Sequence, residues 1–226
     1  MRLHLVRHGQ TPSNVGYFLD TLEPGPGLTE LGHRQAAAIP RVLGDAGIEA
    51  IWVSTLVRTH LTAAPLAQHL GLTPREHAGL REIAAGSLEM ANDDASAQKY
   101  LSVALGWADG ALDVRVPGGE DGTEALGRFD AAIEEVAASG VGTAAVFSHG
   151  AMLRVWAAAR CAEVDLGLAA HAPLSNTGAV VLDGEPGAWR LVSWHAEALG
   201  GALLDDAATD GVAGEVVGEV VEGVED

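Results

Sequence analysis

The chain is poor in several things that would otherwise define its class. It holds one cysteine, Cys161, among 226 residues, which excludes an internal disulfide and any cysteine-built zinc cluster. Its only lysine is Lys99, and no glycine-rich loop precedes it, so the phosphate-cradling loop of P-loop nucleotide hydrolases is excluded. No arginine stands six residues after Cys161 and no glycine stands two before Ser148, where Val146 sits. Cysteine-dependent phosphatase and serine-hydrolase loops are therefore absent as well. Lysine and arginine total 13 against 31 acids, a formal net charge of −18. Phosphate backbones need a basic stripe, so nucleic acid is excluded as a partner. No apolar run reaches the roughly 20 residues of a membrane span, because Arg, Asp, Glu or His interrupts every one, and no membrane partner is expected. The opening "MRLHLVRHG" enters a strand at once without the pattern of a secretory leader, which makes a cytoplasmic location the expectation.

What is present is 48% hydrophobic residues, enough for a packed core. Short Val/Ile/Ala-rich segments at Leu3–Val6, Ala50–Ser54, Thr143–Ser148, Ala179–Leu182 and Arg190–Trp194 read as strands. Helical spacing follows Thr29, with a bend expected at Pro40, and again from Leu56 to Leu70, with a bend or restart at Pro65. A third helix is expected over Thr123–Ser139, where Leu126, Phe129, Ile133 and Val136 share a face. Alternating strands and helices predict an α/β fold, a three-layer α/β/α sandwich with a largely parallel central sheet. Residues 84–122 break the alternation and read as a cap-like insertion, with a helix near Ala95–Leu105, lying over one end of the sheet. Residues 1–204 are thus expected to form one domain. Residues 205–226, with eight acids and no base, read as a solvated acidic tail.

Ligands of open α/β sheets sit beyond the carboxyl ends of the strands. Arg7 and His8 end the first strand, Ser148 and His149 end another, and Arg58 follows a third. Two histidines and two arginines converging on one rim make an oxyanion site of a kind that suits phosphate. With so few cations in the chain, only such a local pocket could hold a small anion against the long-range field. The remaining histidines show no metal spacing, and no metal or other cofactor is expected.

These segments resemble the histidine phosphatase superfamily, also called the phosphoglycerate mutase-like family. "LVRHGQTPSN" is similar to its R-H-G signature, "GLTELGHRQA" to its L-T-x-x-G-x-x-Q-A helix, and "VSTLVRTHLTA" to its S-x-L-x-R-x-x-x-T-A segment. "LREIAAGSLE" resembles the segment that supplies a carboxylic acid, and "FSHGAMLR" the one with the second histidine. The five stand in family order over roughly residues 3 to 155. The resemblance implies that His8 is a nucleophile forming phosphohistidine, that Arg7, Arg58 and His149 clamp the phosphoryl oxygens, and that Glu82 is the general acid. Glu89, seven residues on, is the competing carboxylate. Thr11 and Asn14 would add neutral donors, and Asn176, in "LSNTG", would lie near the phosphate.

The implied activity is hydrolysis of small phosphate monoesters. The alternatives are phosphoglycerate mutase-type transfer and a catalytically silent relative that binds a phosphorylated ligand. Mutases of the family carry extra arginines after the acid, whereas "AAGSLEMANDDASAQ" has no Arg or Lys before Lys99, which favours hydrolysis.

Overall fold

The computed structural model describes residues 1–172, 174–206 and 210–212. Six strands form one sheet in the order β3-β2-β4-β1-β5-β6. They are β1 (Arg2–Arg7), β2 (Ala50–Val53), β3 (Arg75–Glu76), β4 (Thr143–Ser148), β5 (Ala179–Asp183) and β6 (Arg190–His195). β3, β2, β4 and β1 run parallel, β5 runs against β1, and β6 runs against β5. The sheet is largely parallel, as expected. β3 has two exposed residues and no alternation, so it carries no sequence signal.

Alternation along the buried strands sends successive side chains to opposite faces and builds two cores. Val6, Ile51, Val53, Ala145 and Phe147 face α2 (Glu30–Leu43) and α3 (Val57–Leu70), packing with Ile39, Leu43, Ala63 and Leu66. Leu3, Leu5, Trp52 and Val146 face the opposite way, toward Leu126, Phe129, Ile133, Met152 and Trp156. Those residues belong to α5 (Gly122–Ala138) and α6 (Gly150–Arg160). The three layers follow directly. Both α2 and α3 run unbroken through Pro40 and Pro65, so no restart occurs at Pro65. A proline removes one intrahelical bond, and burial of Ile39, Leu43 and Leu66 outweighs that local loss. Thr29 caps α2 as expected, and Asp121 with Glu124 forms a capping box that starts α5. Each cap of this kind contributes about 1 kcal/mol.

The 84–122 stretch contains α4 (Asp94–Ala108), which packs on α6 and on α7 (Leu166–His171). Its Tyr100 and Trp107 are each 1% exposed and join the larger core, so the insertion is an integral part of the domain. The solvated-tail expectation fails at Asp210–Val212. Asp210 and Val212 are buried, because the chain returns across the sheet's carboxyl end. Residues 207–209 and 213–226 of the expected tail lie outside the described residues. Among the described residues, no helix is long and apolar enough to cross a membrane.

Candidate active site

The register of β1 against β4 brings the two histidines together. Arg7 pairs with Ser148, and the His8 amide donates to the Ser148 carbonyl at 3.0 Å. Each chain leaves its strand one residue later, so the His8 and His149 rings stand 5.3 Å apart between centroids. Arg58 arrives from the first turn of α3, beside β2. Glu82 arrives after β3 through a 3-10 turn at Ala78–Leu80. All four residues that the sequence set on one rim are therefore brought together, and all are buried.

Hydrogen bonds assign the tautomers. Nδ1 of His8 lies 2.8 Å from the Gly9 carbonyl, which can only accept, so Nδ1 carries the proton. Nε2 keeps its lone pair. Burial, then Arg58 and Arg7, hold the His8 pKa well below its ordinary 6.5. The ring is thus neutral at pH 7. Arg58 Nε donates to Nδ1 of His149 at 3.3 Å, leaving Nε2 of His149 to donate to the Ser54 hydroxyl at 2.8 Å. Burial, Arg58 and His8 hold His149 neutral too. Ser54 was not singled out in the sequence, although it is the serine of the Arg58 segment.

Glu82 caps the N-terminus of α6. Its Oε1 accepts from Ile83 N and Met152 N, both at 2.9 Å, and its Oε2 accepts from Ala151 N at 3.1 Å. Burial raises its pKa, against the opposing pull of these amides and Arg58. Oε2, with a single amide partner, has room for a proton. Glu89, the competing carboxylate, instead accepts from Thr21 N at 2.8 Å and Leu22 N at 3.2 Å and from the Thr21 hydroxyl at 2.5 Å. It braces a loop.

Around His8 lies a hollow of about 40 Å³, lined by Arg7, Arg58, Glu82, Asn14, Tyr100 and Val212 among others. A single water needs about 10–15 Å³ of such space, so the hollow admits a phosphoryl-sized group and little more. Arg7 Nη1 donates to Leu174 O at 2.6 Å and Nη2 to Asp210 O at 2.5 Å, while its buried Nε has no partner. Asp210 is the second residue missed in the sequence. Its side chain accepts from Asn176 N at 3.0 Å.

The neutral donors need correction. Thr11 lines the hollow, but its hydroxyl donates to Asn14 Oδ1 at 3.0 Å in the capping box of α1 (Pro12–Val15). Asn176 does not line the hollow; its amide donates to His8 O at 3.1 Å and Asn14 Oδ1 at 3.3 Å. Both residues brace the loop, because a short helix start buried beside a strand end must satisfy its own polar groups first. His149 also stays behind the wall, fully covered, in contact with Arg58 and His8. Gly9 packs closely on Gly32 of α2, whose carbonyl would lie 2.9 Å from an added Cβ.

The acid's loop is held by a residue with no sequence signal. Arg128 on α5 donates to Gly79 O, Arg81 O and Glu82 O at 2.7, 2.8 and 2.9 Å. It also pairs with Glu120 at 2.6 Å, and Glu120 accepts from Ala84 N at 2.9 Å.

These neutral rings make stability depend on pH. The unfolded histidines titrate near 6.5, and the folded pKa values lie lower, so acidification protonates the unfolded chain first. Each ring then removes about 1.4 kcal/mol of stability per pH unit below roughly 6.5, until its folded pKa is reached. Glu82 acts oppositely: its raised pKa adds stability that is lost as pH rises from 4.5 through the folded value. Two rings outweigh one carboxyl. The urea midpoint should fall between about pH 7 and 5.5 by the equivalent of roughly 1–3 kcal/mol. A flat midpoint would mean that the rings titrate alike in the folded and unfolded chain.

A buried neutral imidazole between two guanidiniums, beside a carboxyl with a raised pKa at the carboxyl end of a parallel sheet, defines a phosphoryl-transfer site. The comparisons with known proteins agree. Residues 3–197 match the family model of the histidine phosphatase superfamily (branch 1), and the chain belongs to that family. It is 37% identical over 222 residues to PE-PGRS family protein PE_PGRS11 of Mycobacterium tuberculosis, spanning 91% of this chain but 38% of that longer protein. It is 32% identical over 216 residues to the probable phosphoglycerate mutase GpmB of Yersinia pestis, covering 93% of this chain and 98% of that one. Among solved structures, mycobacterial glucosyl-3-phosphoglycerate phosphatase in complex with VO3 superposes with a TM-score of 0.73. It is 29% identical, over 87% of this chain and 99% of that one. A putative alpha-ribazole-5'-P phosphatase of Escherichia coli, at 21% identity and TM-score 0.70 over 89% and 99% of the two chains, shares the fold.

Proposed function

We propose that the protein is a phosphohydrolase of small phosphate monoesters working through phosphohistidine, with no metal or other cofactor. One observation carries this reading: the unprotonated Nε2 of His8 sits in a phosphoryl-sized hollow bordered by Arg7, Arg58 and Glu82. Nε2 attacks phosphorus in line, forming an N–P bond as the ester P–O bond breaks. Arg7 and Arg58 hold the equatorial oxygens, the planar guanidinium fork matching two of them at once. His149 supports the clamp through Arg58. Glu82 gives its proton to the departing alkoxide, then as carboxylate takes one from the water that attacks phosphorus. The N–P bond breaks, and phosphate, neutral His8 and protonated Glu82 are restored.

The unit that carries this chemistry is residues 1–204 together with the buried Asp210–Val212. The net charge of −18 leaves no place for nucleic acid, and the single cysteine suits a cytoplasmic setting. The probable mutases among the relatives favour a second reading, phosphoryl transfer on phosphoglycerate. The full chain incubated with p-nitrophenyl phosphate and with radiolabelled phosphate ester should release inorganic phosphate and, on rapid quench, hold acid-labile, alkali-stable label on His8. Isomerised phosphoglycerate without free phosphate would favour the mutase. No release and no label would leave a silent phospho-ligand binder.

A further inference from the structure

The hollow has no room for the alcohol half of a substrate. A second cavity of about 420 Å³ adjoins it and shares two wall residues, Thr21 and Glu82. Glu82, the proposed proton donor, thus borders both spaces. We propose that this outer cavity receives the leaving group, that it selects uncharged, hydroxyl-bearing alcohols such as polyols and sugars, and that Glu23 enforces the choice by occupying Arg81. The proposal rests on the phosphohydrolase reading.

The selection follows from the cations of the wall, each of which already faces a carboxylate. Arg128 gives its donors to Glu120 and to three carbonyls of the Glu82 loop, and its side chain is only 16% exposed. Arg81 donates to Ala78 O at 3.0 Å and pairs with Glu23 at 3.4 Å. Glu23 is itself held by the hydroxyl of Thr55, and this bond with the Arg81 charge keeps its carboxyl below the ordinary range. Two guanidiniums thus face two carboxylates, Glu23 and Glu120. A carboxylate on the substrate would meet no cation without a carboxylate partner among the described wall residues. It would lie instead beside like charges, within the field of a chain of net charge −18. Hydroxyl groups fit, because ionised carboxylates accept the bonds that hydroxyls donate. Leu22, 61% exposed on the same wall, offers an apolar surface to the C–H face of a sugar or polyol.

The pair glycerol 3-phosphate and 3-phosphoglycerate tests this, since one carries a hydroxymethyl group where the other carries a carboxylate. Phosphate release by the full chain should give kcat/KM at least about tenfold higher for glycerol 3-phosphate, one like-charge contact being of that order. Glu23→Gln frees Arg81 and should narrow the ratio by about tenfold, chiefly by raising kcat/KM for 3-phosphoglycerate. Arg81→Gln should leave 3-phosphoglycerate no better. Both side chains are almost half exposed, so the variants keep the fold. A wild-type ratio at or below one, an unchanged ratio in Glu23→Gln, or a selective loss of 3-phosphoglycerate turnover in Arg81→Gln would overturn the proposal. Hydrolysis of p-nitrophenyl phosphate by the wild type separates the two levels. If that ester too is left intact, the phosphohydrolase reading fails and this inference falls with it.

Discussion

Replacing His8 by alanine should lower turnover by at least about 10⁴-fold, because the reaction then lacks its nucleophile and no nearby group can replace it. His149, the only other imidazole at the site, has Nδ1 engaged by Arg58 and its proton on Nε2 toward Ser54, so no lone pair of its ring faces phosphorus. The fold should survive. The ring lies outside both hydrophobic cores and makes one side-chain hydrogen bond among the described residues, to the adjacent Gly9 carbonyl, so the thermal midpoint should stay near that of the wild type. Phosphate release and circular dichroism on the same sample check both halves. Retention of more than about a hundredth of the activity would exclude His8 as the attacking group.

Glu82→Gln should separate substrates by leaving group. Alkyl esters depart as strongly basic alkoxides and need the proton, so their kcat should drop by about 10²–10⁴-fold. p-Nitrophenyl phosphate loses a stable phenolate and should be affected much less. The pH profile carries a second signature. Activity requires His8 without its second proton and Glu82 with its proton. The His8 pKa, lowered from 6.5, puts the acid limb of kcat/KM below that value; the Glu82 pKa, raised from 4.5, puts the alkaline limb above 4.5. Activity should therefore fall as pH drops through the first and as it climbs through the second. The amide of the variant does not titrate, so its alkaline limb should vanish while its acid limb remains. If the limb persists, the proton comes from elsewhere.

Much of this site was legible before any coordinates. His8, Arg7, Arg58 and His149 could be placed because each stands at the end of a recognisable buried strand or within five residues after it, and parallel strands end on one side of a sheet. The choice of Glu82 over Glu89 rested on resemblance, and the structure gives it a physical basis: one carboxyl lines the hollow, the other ties Thr21 and Leu22 in place. Thr11, Asn14 and Asn176 were less transparent. A threonine or asparagine at a strand end can serve a ligand or its own backbone with equal ease, and only the partners reveal that Thr11 and Asn176 do the latter. Tyr100 and Arg128 left no mark in the sequence, since their roles depend on groups 17 and 46 residues away, respectively.

The amino-acid order on its own determined the strands that alternate, the helix caps at Thr29, the scarcity of cations and hence the class of chemistry. These are local properties, governed by side-chain periodicity and by hydrogen bonds within a few residues. Tertiary structure alone decided which nitrogen of His8 carries the proton, which arginines near the mouth are already engaged, and that Asp210 returns to Arg7 across 203 residues of chain. Such facts turn on proximity created by packing. A proton or a charge responds to whatever lies within a few ångströms, however distant in the chain, and the linear order does not encode that neighbourhood directly.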